Sequence, residues 1–179
     1  NPDKAEQVVE DLSELFRASL QRTGAFVRIS EKLDLCQRYL HIESLRLGER
    51  LRVQWQVETP PTEAEMPLLI LQPLMENAIY HGVQPLPEGG IIKVEVYFTE
   101  DTMIARITNP LMDEEAAKLI NGDGSPGRPR QPNKGNHIAI DNIRQRLEIG
   151  YGESAKLVTK QGSNSFQVEL RCPTVPKII

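Results

Sequence analysis

The amino-acid sequence predicts an α+β fold in which a mixed β-sheet is layered by helices and preceded by a two-helix hairpin. Apolar residues in the first 49 positions recur every three or four residues, as in amphipathic helices. After Gly48 the period changes, and apolar and polar residues alternate in five segments, as in half-buried strands. Helical segments separate some of these strands without a regular βαβ repeat, which favours an α+β class.

The predicted hairpin consists of two amphipathic helices. The first covers residues 3–21, and the second is capped by Ser30 and ends at about Leu47, where Gly48 stops it. Two helices alone cannot enclose a core. They therefore pack on the following domain, or two copies form a four-helix bundle in a homodimer. We divide the chain into a hairpin of residues 1–49 and a larger unit of residues 50–179.

The larger unit contains the five strands and three helices. The central helix lies in the stretch LQPLMENAIYHG (71–82), with Pro67 expected in its first turn. A short helix capped by Asp113 and a helix over 138–149 follow. The predicted strands, which include two hairpins, cover residues 51–58, 92–98, 103–108, 155–160 and 165–171.

Residues 121–136, NGDGSPGRPRQPNKGN, contain four Gly and three Pro in sixteen residues. Such a composition disfavours a regular element and predicts a long loop. Long loops in compact domains are often active-site lids or partner-binding segments. A plain surface linker is the alternative.

Composition and charge exclude several classes of protein. A net charge of −4 argues against a general nucleic-acid binder, which needs a basic surface. Cys36 and Cys172 are too few for a disulfide framework and favour a reducing compartment. The longest apolar run, residues 68–71, is far too short to span a membrane. Because the chain starts at Asn1 and not at Met, we expect it to be part of a longer protein.

The stretch LQPLMENAIYHG combines a core-facing helix with polar side chains. Asn77 and His81 are four residues apart, so they lie on one helix face within reach of a common ligand. The spacing alone favours the alternative, in which both side chains only form hydrogen bonds across a sheet–helix interface.

The order of motifs resembles the ATP-binding domain of sensor histidine kinases in the GHKL superfamily, and more narrowly the LytS/YehU type. The resemblance rests on LQPLMENAIYHG, the Gly-rich loop and IAIDNIRQRL (138–147), and extends to RASL (17–20), YLHIESLRLGERL (39–51) and DNIRQRLEIGYG (141–152). It implies a Bergerat-type α/β sandwich that binds ATP and Mg²⁺, with residues 121–136 as its lid. It also implies phosphoryl transfer to a histidine and then to a response regulator.

The resemblance assigns roles on the central helix. Asn77 is implied as a ligand of Mg²⁺ at the ATP phosphates, and an amide oxygen is an acceptable ligand for this ion. Glu76 is implied as a general base or a group that polarises the attack, and His81 is placed to face phosphate.

Two nucleotide-binding motifs depart from the family pattern. Where the family has V-x-D-x-G, this chain has ITNPL: Asn109 keeps an acceptor for adenine but lacks a charge, and Leu111 replaces the Gly. Where the family has G-x-G-L-x-N, His137 and Ala139 replace both glycines.

Other residues near the second motif are candidates for contacts to the nucleotide. Asn142 retains the last position of that motif, and Gly135 lies two residues upstream of it. Lys134 and the loop arginines are candidate phosphate contacts, and Arg146 matches the family's following helix. The alternative is that these charges only solvate the surface.

The phosphoacceptor histidine of the family lies in a PHFLFN-like segment that this sequence lacks. The resemblance therefore implies that residues 1–49 belong to a dimerisation and phosphotransfer region without its acceptor. It further implies a homodimer through the N-terminal helices and a LytTR-type response regulator as partner. The parent would be a bacterial inner-membrane protein with this part in the cytoplasm.

Three functions remain open from the sequence. The first is a Mg-ATP-dependent histidine kinase, carried by the ENAIYHG motif. The second is a degenerate GHKL domain with weak or no ATP binding, which would act as a dimerisation or response-regulator docking module. The third is another ATPase of the superfamily, which the leading helices disfavour.

Overall fold

The computed structural model describes Ser13 and residues 26–68, 70–111 and 134–175, with the backbone alone for residues 134–139. The first predicted helix (apart from Ser13), the link around Gly24, the helix after Asp113 and loop residues 121–133 lie outside the described residues. The predicted two-helix hairpin is therefore described only in its second helix.

The strands of the described residues are β1 Phe26–Arg28, β2 Leu51–Val57, β3 Glu65–Pro67, β4 Gly90–Thr99, β5 Thr102–Pro110, β6 Lys156–Gln161 and β7 Ser165–Pro173. A mixed five-stranded sheet with the order β2-β4-β5-β7-β6 forms one layer. Strands β2 and β4 are parallel and the other neighbours are antiparallel, which confirms the predicted α+β sheet. A separate antiparallel pair joins β1 to β3.

The register of the sheet gives it one apolar and one polar face. Ile107 stands opposite Val94 on one side and Val168 on the other, and all three are buried. One residue earlier, Arg106 pairs with Glu169 across the β5–β7 ladder. Because side chains alternate along a strand, the apolar row faces the helices and the charged row faces away from them.

Within the described residues, three helices cover the apolar face: α1 Ile29–Leu47, α2 Leu71–Ala78 and α3 Lys134–Tyr151. Helix α2 continues as a π turn over Ile79–Val83. The predicted inward residues of α3 are buried, namely Ile140, Ile143 and Leu147.

Helix α1 starts differently from the prediction. It begins at Ile29, and its N-terminus has no side-chain cap, so the cap predicted at Ser30 is wrong. The pairing of β1 with β3 brings the backbone N–H of Ile29 to the carbonyl of Ala64 at 2.9 Å, which satisfies this donor without a side chain. The predicted stop is confirmed, since Gly48 has a φ of +60°.

Helix α1 shares its core with the sheet and the other helices. Leu33, Cys36 and Leu40 are buried in the same apolar cluster as residues of α2, α3 and the sheet. Within the described residues, packing is thus continuous across position 49, where the sequence predicts a boundary.

Two predicted element boundaries are corrected. Pro67 ends β3 opposite Phe26 and is not in the first turn of α2, which begins at Leu71. Helix α3 begins at Lys134, so three residues of the predicted loop are helical. A single glycine such as Gly135 costs a helix only about 1 kcal/mol, which neighbouring turns offset.

No helix in the described parts of the chain is both long enough and apolar enough to cross a membrane.

Candidate functional site

Helix α2 presents two adjoining stripes of side chains. Leu71, Leu74 and Ala78 lie on the core side and are buried. A second stripe, spaced by three or four residues, runs alongside it and lines a cleft: Pro73, Asn77, Tyr80 and Gln84.

The cleft has a volume of about 370 Å³ and lies between α2 with its π turn and helix α1. This volume is in the range of small-molecule sites. Helix α1 contributes Tyr39, Glu43 and Arg46 to the lining, and Glu76, Ile79 and His81 complete it.

Asn77 is the buried polar residue of this cleft. The residue is 6% exposed, and its Oδ1 has no hydrogen-bond partner among the described residues. An unsatisfied buried acceptor costs about 1–3 kcal/mol. Such a group in the wall of a cleft indicates a position where a ligand or an ion completes the coordination.

The side chain of Glu76 lies in a different environment from that of Asn77, although the two residues are adjacent in sequence. It is exposed at the edge of the cleft, and its carboxylate accepts a hydrogen bond from Nε2 of Gln72 at 2.9 Å. The pair is spaced i,i+4 on the outer side of α2.

His81 is half-buried beside Tyr80, and the two rings meet edge to face with centroids 4.8 Å apart. Burial lowers the pKa of His81 from its ordinary value. The imidazole is therefore neutral at pH 7, so it offers one donor and one acceptor and no fixed positive charge.

Asn109 lies next to the cleft but does not line it. It stands at the end of β5, is 3% exposed, and donates from Nδ2 to the carbonyl of Pro110 at 2.8 Å. Its side chain packs against Gly82 in the π turn. Leu111 also lies outside the lining, and its backbone N–H donates to the carbonyl of Asn164 at 2.9 Å.

The predicted residues of α3 whose side chains are described do not line this cleft. Asn142 and Arg146 are exposed on α3 and do not line it. Lys134 and Gly135 belong to the first turn of α3, and their side chains lie outside the described set, as do those of His137 and Ala139. The structure thus brings together Glu76, Asn77 and His81.

The wall that α1 contributes to the cleft was not predicted from the sequence. Tyr39, Glu43 and Arg46 are spaced by four and three residues within YLHIESLR, which places them on one helix face. Nε of Arg46 donates to Glu43 at 3.0 Å, and a second guanidinium N–H donates to the same carboxylate oxygen. Burial and then the charges of Glu43 and Glu76 raise the pKa of Tyr39. The spacing of this polar triad was the signal available in the sequence.

Comparisons with known proteins agree on one family. A family model described as histidine kinase matches residues 1–51. The sensor protein LytS of Oceanobacillus iheyensis is 30% identical over 173 residues, covering 96% of this chain and 29% of LytS. The sensor histidine kinase YpdA of Escherichia coli is 28% identical over 156 residues, covering 86% of this chain and 26% of YpdA. The chain thus spans less than a third of the length of these relatives.

The fold also has a counterpart among solved structures. The histidine kinase ThkA, crystallised in complex with the response regulator protein TrrA, matches 99% of this chain and 50% of its own with a TM-score of 0.54. At 13% sequence identity, this likeness concerns the fold alone.

Proposed function

Since this chain belongs to the catalytic domains of two-component sensor histidine kinases of the LytS type, we propose that its α1–α2 cleft binds ATP together with Mg²⁺. The proposed reaction is phosphoryl transfer from ATP to a histidine outside the sequence of residues 1–179. Catalysis of such transfers rests on positioning and on neutralisation of phosphate charge.

The observation that carries this proposal is the unpartnered Oδ1 of Asn77 in the wall of the cleft. Mg²⁺ takes few protein oxygens and keeps several waters, so one amide oxygen and the phosphates suit it. Asn77 is the residue that would hold the ion. When bound, the ion would neutralise charge on the phosphates.

The charges of the cleft also favour binding of a metal ion together with the nucleotide. Its described lining contains the carboxylates of Glu43 and Glu76 and the guanidinium of Arg46. A triphosphate entering alone would meet a net negative wall and be repelled. A divalent cation removes that repulsion, so we expect nucleotide binding to depend strongly on Mg²⁺.

The remaining site residues keep the roles implied by the family. Glu76, at the edge of the cleft, is proposed as the general base or polarising group. His81 is proposed to donate to a phosphate as a neutral imidazole. Asn109 is proposed to contact adenine through its amide oxygen, because its Nδ2 is already engaged by Pro110. Lys134, Gly135, Asn142 and Arg146 are proposed to contact the nucleotide from α3, and residues 121–133, which precede this helix, are proposed as the lid.

A degenerate domain is the second candidate, favoured by the position of Asn109. This side chain is buried against Gly82, donates to its own neighbour, and lies outside the described cleft. If adenine cannot reach it, the domain would bind ATP weakly or not at all. It would then act as a module for dimerisation or for docking a response regulator.

We propose further features for the whole protein. Residues 1–49 would contribute to a homodimer and to the phosphotransfer region, and the acceptor histidine would lie upstream. ThkA was crystallised with a response regulator, which supports a partner of that class; a LytTR type is the specific proposal. The parent protein is proposed to be anchored in a bacterial inner membrane with this part in the cytoplasm.

A finer assignment follows from the motifs. LQPLMENAIYHG and YLHIESLRLGERL resemble those of an alginate-regulating sensor kinase, so we propose a role in alginate regulation. Deleting the gene in its source bacterium and measuring alginate tests this role, and unchanged production would remove it.

Calorimetric titration of the chain with ATP tests the binding proposal. We expect binding in millimolar Mg²⁺ and its loss in a chelator. Asn77→Leu, which removes the amide oxygen, should weaken binding at least about tenfold, equivalent to about 1.4 kcal/mol. Gln54→Leu removes an exposed amide on β2 and serves as the matched control. Absence of binding at millimolar Mg-ATP would favour the degenerate module.

A further inference from the structure

Arg46 on helix α1 points to a part of the site that the family motifs do not assign. Its side chain is 50% exposed and lines the same cleft as Asn77. The partner carboxylate of Glu43 is only 14% exposed. A nearly buried carboxylate that accepts two N–H groups of one guanidinium fixes the orientation of that guanidinium.

The guanidinium of Arg46 has N–H donors that Glu43 does not engage. Arginine carries five N–H groups, and Glu43 accepts from two of them. The others remain able to bind an anion whose geometry matches the planar fork, such as a phosphate. Half of the side chain is exposed, so such an anion can reach it from the cleft.

The electrostatics of the cleft single out this residue. Among the described lining residues, Arg46 carries the permanent positive charge, since the lowered pKa of His81 leaves its imidazole neutral at pH 7. The two carboxylates near it, Glu43 and Glu76, would repel a phosphate that lacked both a metal ion and this guanidinium.

The position of Arg46 also determines which end of a bound nucleotide its guanidinium would contact. Asn109, the proposed adenine contact, lies beside Gly82 and outside the cleft. Arg46 belongs to the wall formed by α1, and Asn77 belongs to the wall formed by α2 in the same cleft. The polyphosphate would therefore extend from the Asn77 position towards α1.

We infer that Arg46 binds the γ-phosphate of ATP, which ADP lacks. Glu43 holds the guanidinium of Arg46 in position for this contact. The inference rests on the proposed function and adds helix α1 to the phosphate-binding machinery. A charge-assisted hydrogen bond of this kind corresponds to roughly a 10- to 100-fold change in affinity.

Titration with ATP and with ADP in excess Mg²⁺ tests the inference. Arg46→Gln should weaken ATP binding roughly 10- to 100-fold and ADP binding far less, so that the ATP-to-ADP preference falls. Arg46→Lys keeps the positive charge but lacks the planar set of N–H donors. Its ATP-to-ADP preference should lie between those of the parent and Arg46→Gln. Glu43→Gln should lower the preference by a smaller factor. Arg52→Gln, an exposed arginine on β2 outside the cleft, is the matched control and should change neither affinity.

The outcomes separate this inference from the proposed function. An unchanged ATP-to-ADP preference in folded Arg46→Gln, or an equal loss for both nucleotides, would overturn the role of Arg46 and leave ATP binding intact. If the unmodified chain binds neither nucleotide, the proposed function fails, and the role of Arg46 fails with it. Thermal unfolding of each variant establishes that it is folded. If Arg46→Gln does not fold, the preference measured with Arg46→Lys decides.

Discussion

Gly82 in the π turn of α2 and Asn109 at the end of β5 are in direct contact: a Cβ at position 82 would lie 2.5 Å from Nδ2 of Asn109. The same hypothetical atom would lie 2.7 Å from Cβ of Asn109, so rotating the amide would not relieve the overlap. Glycine at position 82 therefore allows the helix that carries Asn77 and His81 to rest on the sheet.

We predict that Gly82→Ala destabilises the protein by about 1–3 kcal/mol, the usual cost of overpacking in a buried position. Denaturant unfolding should show it as a lower midpoint with an unchanged slope. Asn109→Ala should remove the obstructing atoms beyond Cβ, so the double variant should be less destabilised than the sum of the two single variants. Strict additivity would mean that the two side chains do not compete for the same space.

The substitution Asn77→Leu, which should weaken ATP binding, should not weaken the folded protein. Because Oδ1 of Asn77 is buried without a described partner, Asn77→Leu should leave the free energy of unfolding unchanged or raise it by about 1 kcal/mol. For a chain of this size that corresponds to roughly 2–4 °C in Tm. Asn77→Ala should instead lower Tm, because it leaves a cavity. Calorimetry without nucleotide measures both, and a clear loss of stability in Asn77→Leu would indicate that the amide is satisfied in the folded protein.

The strands of the main sheet were predicted well from the sequence because the pattern that identifies a strand is a local one. Alternation of apolar and polar residues in β4, β5 and β7 reflects one covered and one exposed face, and it requires no knowledge of partners. The short strands β1 and β3 were missed because each has three residues, too few to show a period. Their pairing also explains why Pro67 lies in a strand and why α1 needs no side-chain cap.

The candidate site was predicted only in part for a similar reason. Glu76, Asn77 and His81 lie within one helix, so their proximity follows from spacing alone. That Arg46 and Glu43 lie across from them depends on how α1 packs against α2, which no local pattern reveals. Asn109 was assigned to the adenine contact through the family pattern, but its burial against Gly82 depends on the register between β5 and the π turn.

The polar face of the sheet predicts a dependence of stability on pH. Arg106 and Arg171 both donate to the carboxylate of Glu169, and Arg106 also lies over the ring of Tyr97 at 5.1 Å. The hydrogen bond from Arg106 is the main reason that the pKa of Glu169 is lowered from its ordinary value. A carboxylate whose pKa is lower in the folded state stabilises the protein above its ordinary pKa, and this stability is lost as the pH falls through the folded value.

We therefore expect the free energy of unfolding to decrease on acidification from about pH 5 downwards. Glu169→Gln should lack this component of the decrease and should be about 1 kcal/mol less stable at pH 7, the scale of a hydrogen-bonded ion pair at a partly exposed site. Denaturant titrations at several pH values provide the measurement, with Glu88→Gln in an exposed loop as the control. The same slope in Glu169→Gln and in the parent would contradict the assignment.

His81 predicts a second pH effect, in a different range. Its pKa is lowered by burial in the folded protein, so the unfolded chain takes up the proton more readily. The contribution of the neutral imidazole to stability is complete above its ordinary pKa of about 6.5 and is lost as the pH falls towards the folded value. Between about pH 7 and pH 5, the parent should lose stability and His81→Gln should lose less. NMR titration of the His81 ring measures the same quantity directly, and a pKa at or above that of a model histidine would refute the prediction.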